Sequence, residues 1–185
     1  MIILGVDPGT LVTGFGVVEY SRGRTTLIAC DIIRNRSDRS MPLRLKRIYD
    51  SLCEAIDRYR PDELAIETAF YGKNAQSALK LGHARGVSIL AAVNRQIPTA
   101  EYSPREVKKA VAGNGAASKQ QVQFMVKSRM NLRSLPKQLD ATDAVAVAMC
   151  HLQRIAGRRS NGRPKHRETW SSFVHQHPDR LLPQK

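Results

Sequence analysis

Two acidic residues stand directly after apolar runs of the chain, where a carboxylate needs a partner. Asp7 follows Ile2–Val6, and Glu67 follows Leu64-Ala65-Ile66. A carboxylate beside so much apolar surface is costly unless it is paired or binds a cation. Each acid also has a structural alternative, because an Asp before Pro-Gly can accept backbone N–H bonds and a Glu at a strand end can be solvated. Either residue alone leaves both readings open.

A second acidic pair opens an Ala- and Val-rich segment that has the composition of a helix. Asp140 and Asp143 are three residues apart, so both side chains can lie on one face of that helix. The alternative is helix capping, since an Asp at the N-cap and another in the first turn suit the positive end of the helix dipole. The four acids together favour a shared function over four separate structural roles.

The surrounding sequence is strongly basic. The chain carries a formal charge of +14, and between Thr68 and Leu139 the only acids are Glu101 and Glu106, against twelve Lys and Arg. Such an excess of basic over acidic residues indicates a surface that binds the phosphate backbone of a nucleic acid. Carboxylates inside such a surface can hold Mg²⁺ against a phosphodiester, and two ions can activate water and stabilise the leaving oxygen. The residues therefore predict metal-assisted phosphodiester hydrolysis.

The elements that must position these acids follow from the hydrophobic pattern. Three β-rich segments joined by short connections predict an antiparallel meander over residues 2–6, 14–20 and 25–33. The later segments alternate between strand and helix: a helix ending at Pro61, strand 63–67, helix 74–94, strand 97–102, a helix from Ser103, helix 118–130 and helix 138–156. This order predicts an α/β fold with a mixed five-stranded sheet flanked by helices. Asp7 and Glu67 would then meet at the crevice where open α/β sheets place ligands.

Composition also bounds the domain organisation and the class of protein. We expect one domain over residues 1–156 and a basic C-terminal tail over 157–185, which has few aliphatic residues. No apolar run is long enough for a membrane span, and the opening residues lack a signal-peptide pattern. Cys30, Cys53 and Cys150 form neither a zinc pattern nor a disulfide framework. The sequence predicts a cytoplasmic protein without membrane association.

Four motifs, in order from Met1 to about His151, make a family resemblance visible. They are ILGVDPGT, VTGFGVV, the block AIETAFYGKNAQSALKLGHARG and DATDAVAVA. The chain resembles RuvC, the family of bacterial Holliday junction resolvases. The resemblance implies an RNase H-like fold and a homodimer that cuts four-way DNA junctions in recombination and repair. It further implies paired, symmetric, metal-dependent nicks that a ligase can seal.

The resemblance also implies roles for individual residues. Asp7, Glu67, Asp140 and Asp143 are similar to the four metal-binding acids of the family, which implies Mg²⁺, or Mn²⁺ in its place, with two ions per subunit. Lys108 and Lys119 resemble basic residues beside the scissile phosphate. Phe70 matches the aromatic that contacts an unstacked base at the junction centre, and its alternative is a core position that covers the sheet end. Tyr71 and Lys73 are expected to contact DNA as well.

The segment Asn74–Asn94 carries small residues at four-residue spacing, namely Ala78, Gly82 and Gly86. Such a row lets another helix approach closely, either inside the monomer or across the dimer contact that the resemblance implies. We expect the dimer contact. The resemblance also implies a branch-migration partner, the RuvA–RuvB complex.

Other functions are weighed against the nuclease. An ATP-dependent phosphotransferase of the actin and sugar-kinase type also opens with a strand, Asp-x-Gly-Thr and a hairpin, but that fold needs two lobes and a second Gly-rich loop. A non-catalytic DNA-binding module would use the same basic face but leaves Asp7 and Glu67 unexplained. Relatives that process ribosomal RNA precursors share the opening motif and lack the Phe70–Gly86 block. The nuclease accounts for more of the residues.

Overall fold

The structure is a computed structural model that describes residues 1–36, 40–68, 75–132 and 139–160, with side chains up to Gly157. Clustering of backbone contacts divides the chain into Met1–Arg154 and Ile155–Lys185. Within the described ranges, none of the helices is long and apolar enough to cross a membrane.

The described residues form one mixed sheet of five strands. In chain order the strands are β1 (Ile2–Asp7), β2 (Val12–Ser21), β3 (Arg24–Arg34), β4 (Glu63–Glu67) and β5 (Thr99–Tyr102). Across the sheet the order is β3-β2-β1-β4-β5. The pairs β3–β2 and β2–β1 are antiparallel, whereas β1–β4 and β4–β5 are parallel. The predicted fold class is therefore confirmed, with β1 at the centre of the sheet.

The β2–β3 hairpin closes through a two-residue turn. Arg22 and Gly23 have φ values of 49° and 78°, so both central residues are left-handed. This is the turn whose twist matches that of the flanking strands. Glycine supplies one of the two positive φ angles at little steric cost.

Five helices lie among the described residues: α1 (Met41–Tyr59), α2 (Ala75–Val93), α3 (Pro104–Ala112), α4 (Lys119–Arg129) and α5 (Leu139–Ser160). Two of them begin with a capping box, formed by Ser103 with Glu106 in α3 and by Ser118 with Gln121 in α4. In each box the side chains satisfy two backbone N–H groups that the helix leaves open. The first turns of α3 and α4 are therefore well defined, which matters because Lys108 and Lys119 lie close to them.

Helices α1 and α2 cover one face of the sheet. Leu4, Val6 and Ile66 belong to a buried cluster that also contains Ile48 and Leu52 of α1. Alanines of α2 complete the cluster. Because side chains alternate along a strand, the neighbours of these residues point to the opposite face, where Asp7 and Glu67 lie.

Helix α5 packs on that opposite face, against three glycines of the sheet. Gly14 is the cross-strand partner of Asp7, and Gly16 is the partner of Gly5. We call Gly5, Gly14 and Gly16 the glycine patch. A Cβ at Gly14 would overlap the carbonyl oxygen of Asp140, and a Cβ at Gly16 would lie 2.6 Å from the Val145 side chain. The glycine patch therefore lets the backbone of α5 approach the sheet more closely than side chains would allow.

Among the element boundaries that differ from the predicted ones, two have a clear physical cause. Strand β5 begins at Thr99 rather than at residue 97, because Pro98 has no N–H to donate to a ladder. Helix α5 continues to Ser160, beyond the predicted end at Ala156. The isolated Gly157 does not end it, since one glycine costs a helix only about 1 kcal/mol.

Candidate active site

Asp7 and Glu67 are brought together by the parallel pairing of β1 and β4. Val6 pairs with Ile66, so the two acids that follow occupy neighbouring positions at the same end of the sheet. Both side chains are partly buried. The structure therefore confirms the predicted positions of the two acids at the carboxyl ends of neighbouring strands.

The third and fourth acids come from the first turns of α5. One carboxylate oxygen from each of Asp7, Asp140 and Asp143 can be chosen so that all three lie within 4.8 Å of one another. In the described residues α5 begins at Leu139, so Asp140 lies in its first turn, where its charge suits the positive end of the helix dipole. This structural role is compatible with the clustering of Asp140 with Asp7 and Asp143. The close approach over the glycine patch places both α5 acids above Asp7.

The crowding of these acids changes their protonation. The pKa of Asp7 is raised to about 7, chiefly by burial and then by the charges of Asp143 and Asp140. The pKa of Glu67 is also raised to about 7, by burial first and then by Asp7 and Asp143. Burial raises the pKa of Asp143 as well, against the lowering effect of Lys119. Such a cluster is stable in its fully ionised form only when positive charge enters it.

Two lysines supply part of that positive charge. The Lys119 ammonium lies 2.7 Å from Oδ2 of Asp143, and this hydrogen bond raises the lysine pKa. Lys119 is the first residue of α4, where a cation opposes the helix dipole, so local helix energetics do not favour it there. Lys108 stands close enough to Glu67 that its charge lowers the pKa of that acid. We therefore infer that both lysines serve the cleft rather than their helices.

Three of the acids, Asp7, Glu67 and Asp143, line one cleft of about 210 Å³ together with both lysines. Its walls include apolar residues that sequence reasoning did not identify: Pro104, Val107, Val122 and Ala146. A signal for two of them was present, since Val107 adjoins Lys108 and Val122 lies one helical turn after Lys119. Apolar walls lower the local dielectric, which strengthens every charge interaction in the cleft.

The donor set fits a hard divalent cation. Carboxylate oxygens are the ligands that Mg²⁺ and Mn²⁺ prefer in proteins, and here they converge from β1, β4 and α5. Glu67 is not among the three acids with mutually close oxygens, but it lines the same cleft as Asp7 and Asp143. The arrangement can hold metal ions at one end and direct two ammonium groups at an anionic substrate.

The remaining predicted residues have different outcomes. Phe70, Tyr71 and Lys73 lie outside the described residues, so their predicted contact with DNA stays a prediction.

On α2, Ala78 is half-buried, whereas Gly82 and Gly86 are exposed. A Cβ added at either glycine would meet no other part of the described chain within 4 Å. Packing against the described residues therefore does not explain these two glycines.

The raised carboxyl pKa values predict how the metal-free protein responds to pH. A folded-state pKa above the unfolded value means that the folded state holds more protons, so stability falls as pH rises from about 4 to about 7. We expect the Asp7→Asn variant in EDTA to have a higher unfolding free energy than the wild type at about pH 8, by on the order of 1–3 kcal/mol. The advantage should shrink towards about pH 5, as urea unfolding at both pH values would measure.

Asp57 offers a matched control for this pH effect. It is an exposed acid whose pKa is lowered by a hydrogen bond from Arg95. Asp57→Asn should therefore lose stability at high pH rather than gain it. If Asp7→Asn instead destabilised the metal-free protein at about pH 8, Asp7 would not experience the repulsion described here.

Comparisons with known proteins agree on one family. The sequence model described as crossover junction endodeoxyribonuclease RuvC matches residues 3–151. The RuvC of Desulforamulus reducens is 51% identical over 83% of this chain and 94% of its own length. That of Salinibacter ruber is 48% identical over 98% of this chain and 99% of its own, an alignment that takes in most of residues 157–185.

A solved structure shows the same relationship. The structure of Thermus thermophilus RuvC in complex with a Holliday junction substrate is 31% identical and superposes with a TM-score of 0.79. The superposition covers 84% of this chain and 96% of that chain.

Proposed function

Because this chain belongs to the RuvC family of crossover junction endodeoxyribonucleases, we infer that it resolves four-way DNA junctions by hydrolysing phosphodiester bonds. It is a structure-selective endonuclease of recombination and repair. The observation that carries the mechanism is the convergence of Asp7, Asp140 and Asp143 within 4.8 Å in a chain with a charge of +14. A binding module would gain nothing from this cluster, since it repels phosphate unless a cation neutralises it.

We assign Asp7, Glu67, Asp140 and Asp143 as the ligands of the catalytic metal, with Mg²⁺ as the ion and Mn²⁺ as its substitute. The size of the acidic cluster supports two ions per subunit, because two divalent charges balance four carboxylates. When bound, the ions supply a nucleophile at neutral pH and stabilise the leaving oxygen. The carboxylates themselves orient and hold the ions, which requires them to lose their protons first.

Lys119 and Lys108 act on the phosphate in this proposal. Their ammonium groups stand at the rim of the cleft, where they attract the DNA backbone and stabilise charge that develops on the phosphorus oxygens. The Lys119–Asp143 ion pair indicates that Lys119 can reach the carboxylates directly. Phe70, Tyr71 and Lys73 are proposed to contact DNA next to the cleft, with an aromatic ring stacking on an unpaired base.

The exposed face of α2 supports a homodimer. Leu79, Leu90 and Val93 expose 62%, 49% and 53% of their surface, and they share a stripe with the exposed Gly82 and Gly86. Each glycine in a helix costs about 1 kcal/mol, which nothing in the described chain compensates. A second copy of α2 packed on Ala78, Gly82 and Gly86 would compensate it. The two-fold symmetry of such a dimer would also place one active-site cleft at each of two symmetry-related DNA strands of the junction.

The Gly86→Gln variant tests the dimer without disturbing the monomer. Glutamine favours a helix, and an added Cβ at this position meets no described residue within 4 Å, so the monomer should be as stable as the wild type or more stable. The longer side chain should block close approach of two α2 helices and raise the dimer dissociation constant by about tenfold or more, measured by sedimentation. The control is Lys80→Gln, an exposed position on the same helix but off the stripe. An unchanged dimer in Gly86→Gln would exclude this interface.

Two further parts of the proposal rest on the family and on the charge of the C-terminal residues. A homodimeric resolvase would receive its junction from a branch-migration motor, for which the RuvA–RuvB complex is the proposed partner. The basic residues of 157–185 are proposed to add non-specific affinity for DNA.

Cleavage of an end-labelled mobile four-way junction, beside a linear duplex of matching sequence, tests the function. We expect paired cuts at symmetric positions in the junction, dependent on Mg²⁺ and suppressed by EDTA, with little cutting of the duplex. Binding without cutting in both Mg²⁺ and Mn²⁺ would favour a non-catalytic module. Equal cutting of both substrates would contradict the junction selectivity.

A further inference from the structure

A buried chain of hydrogen bonds links three elements of the nuclease domain below the cleft. The Tyr102 hydroxyl lies 2.6 Å from Nδ1 of His151, and Nε2 of His151 lies 2.9 Å from Oε2 of Glu63. Tyr102 and His151 are only 2% and 4% exposed. Their rings also meet edge to face, with centroids 5.6 Å apart. These residues have no place in the metal or DNA contacts proposed above.

A neutral His151 with its proton on Nε2 satisfies the whole chain. An ionised Glu63 can only accept, so Nε2 of His151 donates to it. In the neutral imidazole Nδ1 then accepts, and the Tyr102 hydroxyl donates to it. Both ring nitrogens of His151 therefore have directional partners, one in β5 and the other in β4. Such a pair of bonds fixes the ring orientation more narrowly than apolar packing does.

One end of this chain, Tyr102, stands next to a proposed metal-binding acid, and its middle residue, His151, belongs to the helix that carries two others. Tyr102 is the cross-strand partner of Glu67. The Tyr102 carbonyl accepts hydrogen bonds from the N–H and the hydroxyl of Thr68, the residue after Glu67. His151 lies on α5, the helix that carries Asp140 and Asp143 in its first turns. One turn further, the Arg154 guanidinium lies over the Tyr102 ring, 5.6 Å from its centre.

We propose that Tyr102 and His151 are positioning residues for the reaction, because their hydrogen bonds fix α5 against β4 and β5 and so set the distance between Asp140 and Asp143 on one side and Glu67 on the other. This rests on the proposed metal site. The glycine patch sets how closely α5 approaches the sheet, but apolar packing has no preferred direction of its own. The His151 hydrogen bonds add that direction, since they join side chains with definite geometry.

The Tyr102→Phe variant is the sharpest test, because it removes one hydroxyl and keeps the ring under Arg154. We expect affinity for Mn²⁺, measured without DNA by the loss of the free-ion paramagnetic resonance signal, to fall about 10- to 100-fold. The turnover number for junction cleavage should fall in parallel, with KM within about twofold of the wild type. His151→Gln should retain more Mn²⁺ affinity than His151→Leu, because an amide can still accept and donate.

A control separates positioning from general loss of stability. Ile48→Val removes one buried methylene on the other face of the sheet, and it should weaken Mn²⁺ binding by less than about twofold, whatever its stability. If Tyr102→Phe bound Mn²⁺ as tightly as the wild type, the positioning role would be overturned. It would also be overturned if Ile48→Val lost as much Mn²⁺ affinity as Tyr102→Phe. A wild-type protein that binds no Mn²⁺ would overturn the metal site itself, and the positioning role with it.

Discussion

The Asp7→Asn variant is expected to lose junction cleavage by about 10³-fold or more while it binds the junction at least as tightly as the wild type. Asp7 is the acid that ends the central strand, and its carboxylate is close to those of both Asp140 and Asp143. Asparagine keeps the shape but removes a charged metal ligand, so the ions lose the group that β1 contributes. Binding is retained because the substitution also removes a negative charge that faces phosphate.

Single-turnover cleavage and a binding titration in Ca²⁺ would measure the two effects separately. The matched control is Asp50→Asn, which removes the same charge from an exposed acid that pairs with Lys46 on α1. That variant should cut at the wild-type rate. Wild-type cutting by Asp7→Asn would remove Asp7 from the site, and equal losses in both variants would mean that net charge, rather than metal ligation, limits the reaction.

The Gly14→Ala variant is expected to lose both stability and activity, although it adds only one methyl group. A Cβ at this position would overlap the carbonyl oxygen of Asp140 and lie 3.2 Å from the backbone nitrogen of Ala141. Backbone atoms of a helix cannot move aside singly, so α5 must shift as a unit. We expect a loss of about 1–3 kcal/mol in the free energy of unfolding.

The effect of Gly14→Ala on cleavage should exceed what the lost stability explains. A displacement of about 1 Å in a catalytic group can cost about 10²-fold in rate, and here the displaced helix carries two of the four acids. Urea unfolding and single-turnover cleavage under conditions where the variant is fully folded would measure both. The control is Gly157→Ala on α5 itself, where an added Cβ meets no atom of the described residues within 4 Å. Full activity in folded Gly14→Ala would show that α5 need not approach so closely.

The sheet and the pairing of Asp7 with Glu67 could be predicted from sequence because both follow from local patterns. A continuous apolar run identifies a buried strand, and an acid directly after it must lie at the sheet's end. Asp140 and Asp143 were predictable as a pair because their spacing places them on one helix face. The capping boxes that begin α3 and α4 depend only on residues three positions apart.

The contacts that complete the site could not be predicted from single segments. Glycine is a weak strand former, so the sequence alone gives no reason for Gly14 and Gly16 within β2. The close approach of α5 explains why both positions lack a side chain. No local pattern connects His151 with the site, because its link to Glu63 spans 88 residues of sequence. The exposure of Gly82 and Gly86 was likewise undetermined, since small residues at helical spacing suit an intramolecular contact as well as a dimer contact.

A crystal structure from crystals grown in Mn²⁺, with anomalous data collected at the manganese absorption edge, would test most directly whether the four acids form the metal site. We expect anomalous peaks among the carboxylates of Asp7, Glu67, Asp140 and Asp143, with the Lys119 ammonium displaced from Asp143. No peak in this cleft at a Mn²⁺ concentration that supports cleavage, or a peak at other residues, would contradict the assignment of these four acids as the metal site.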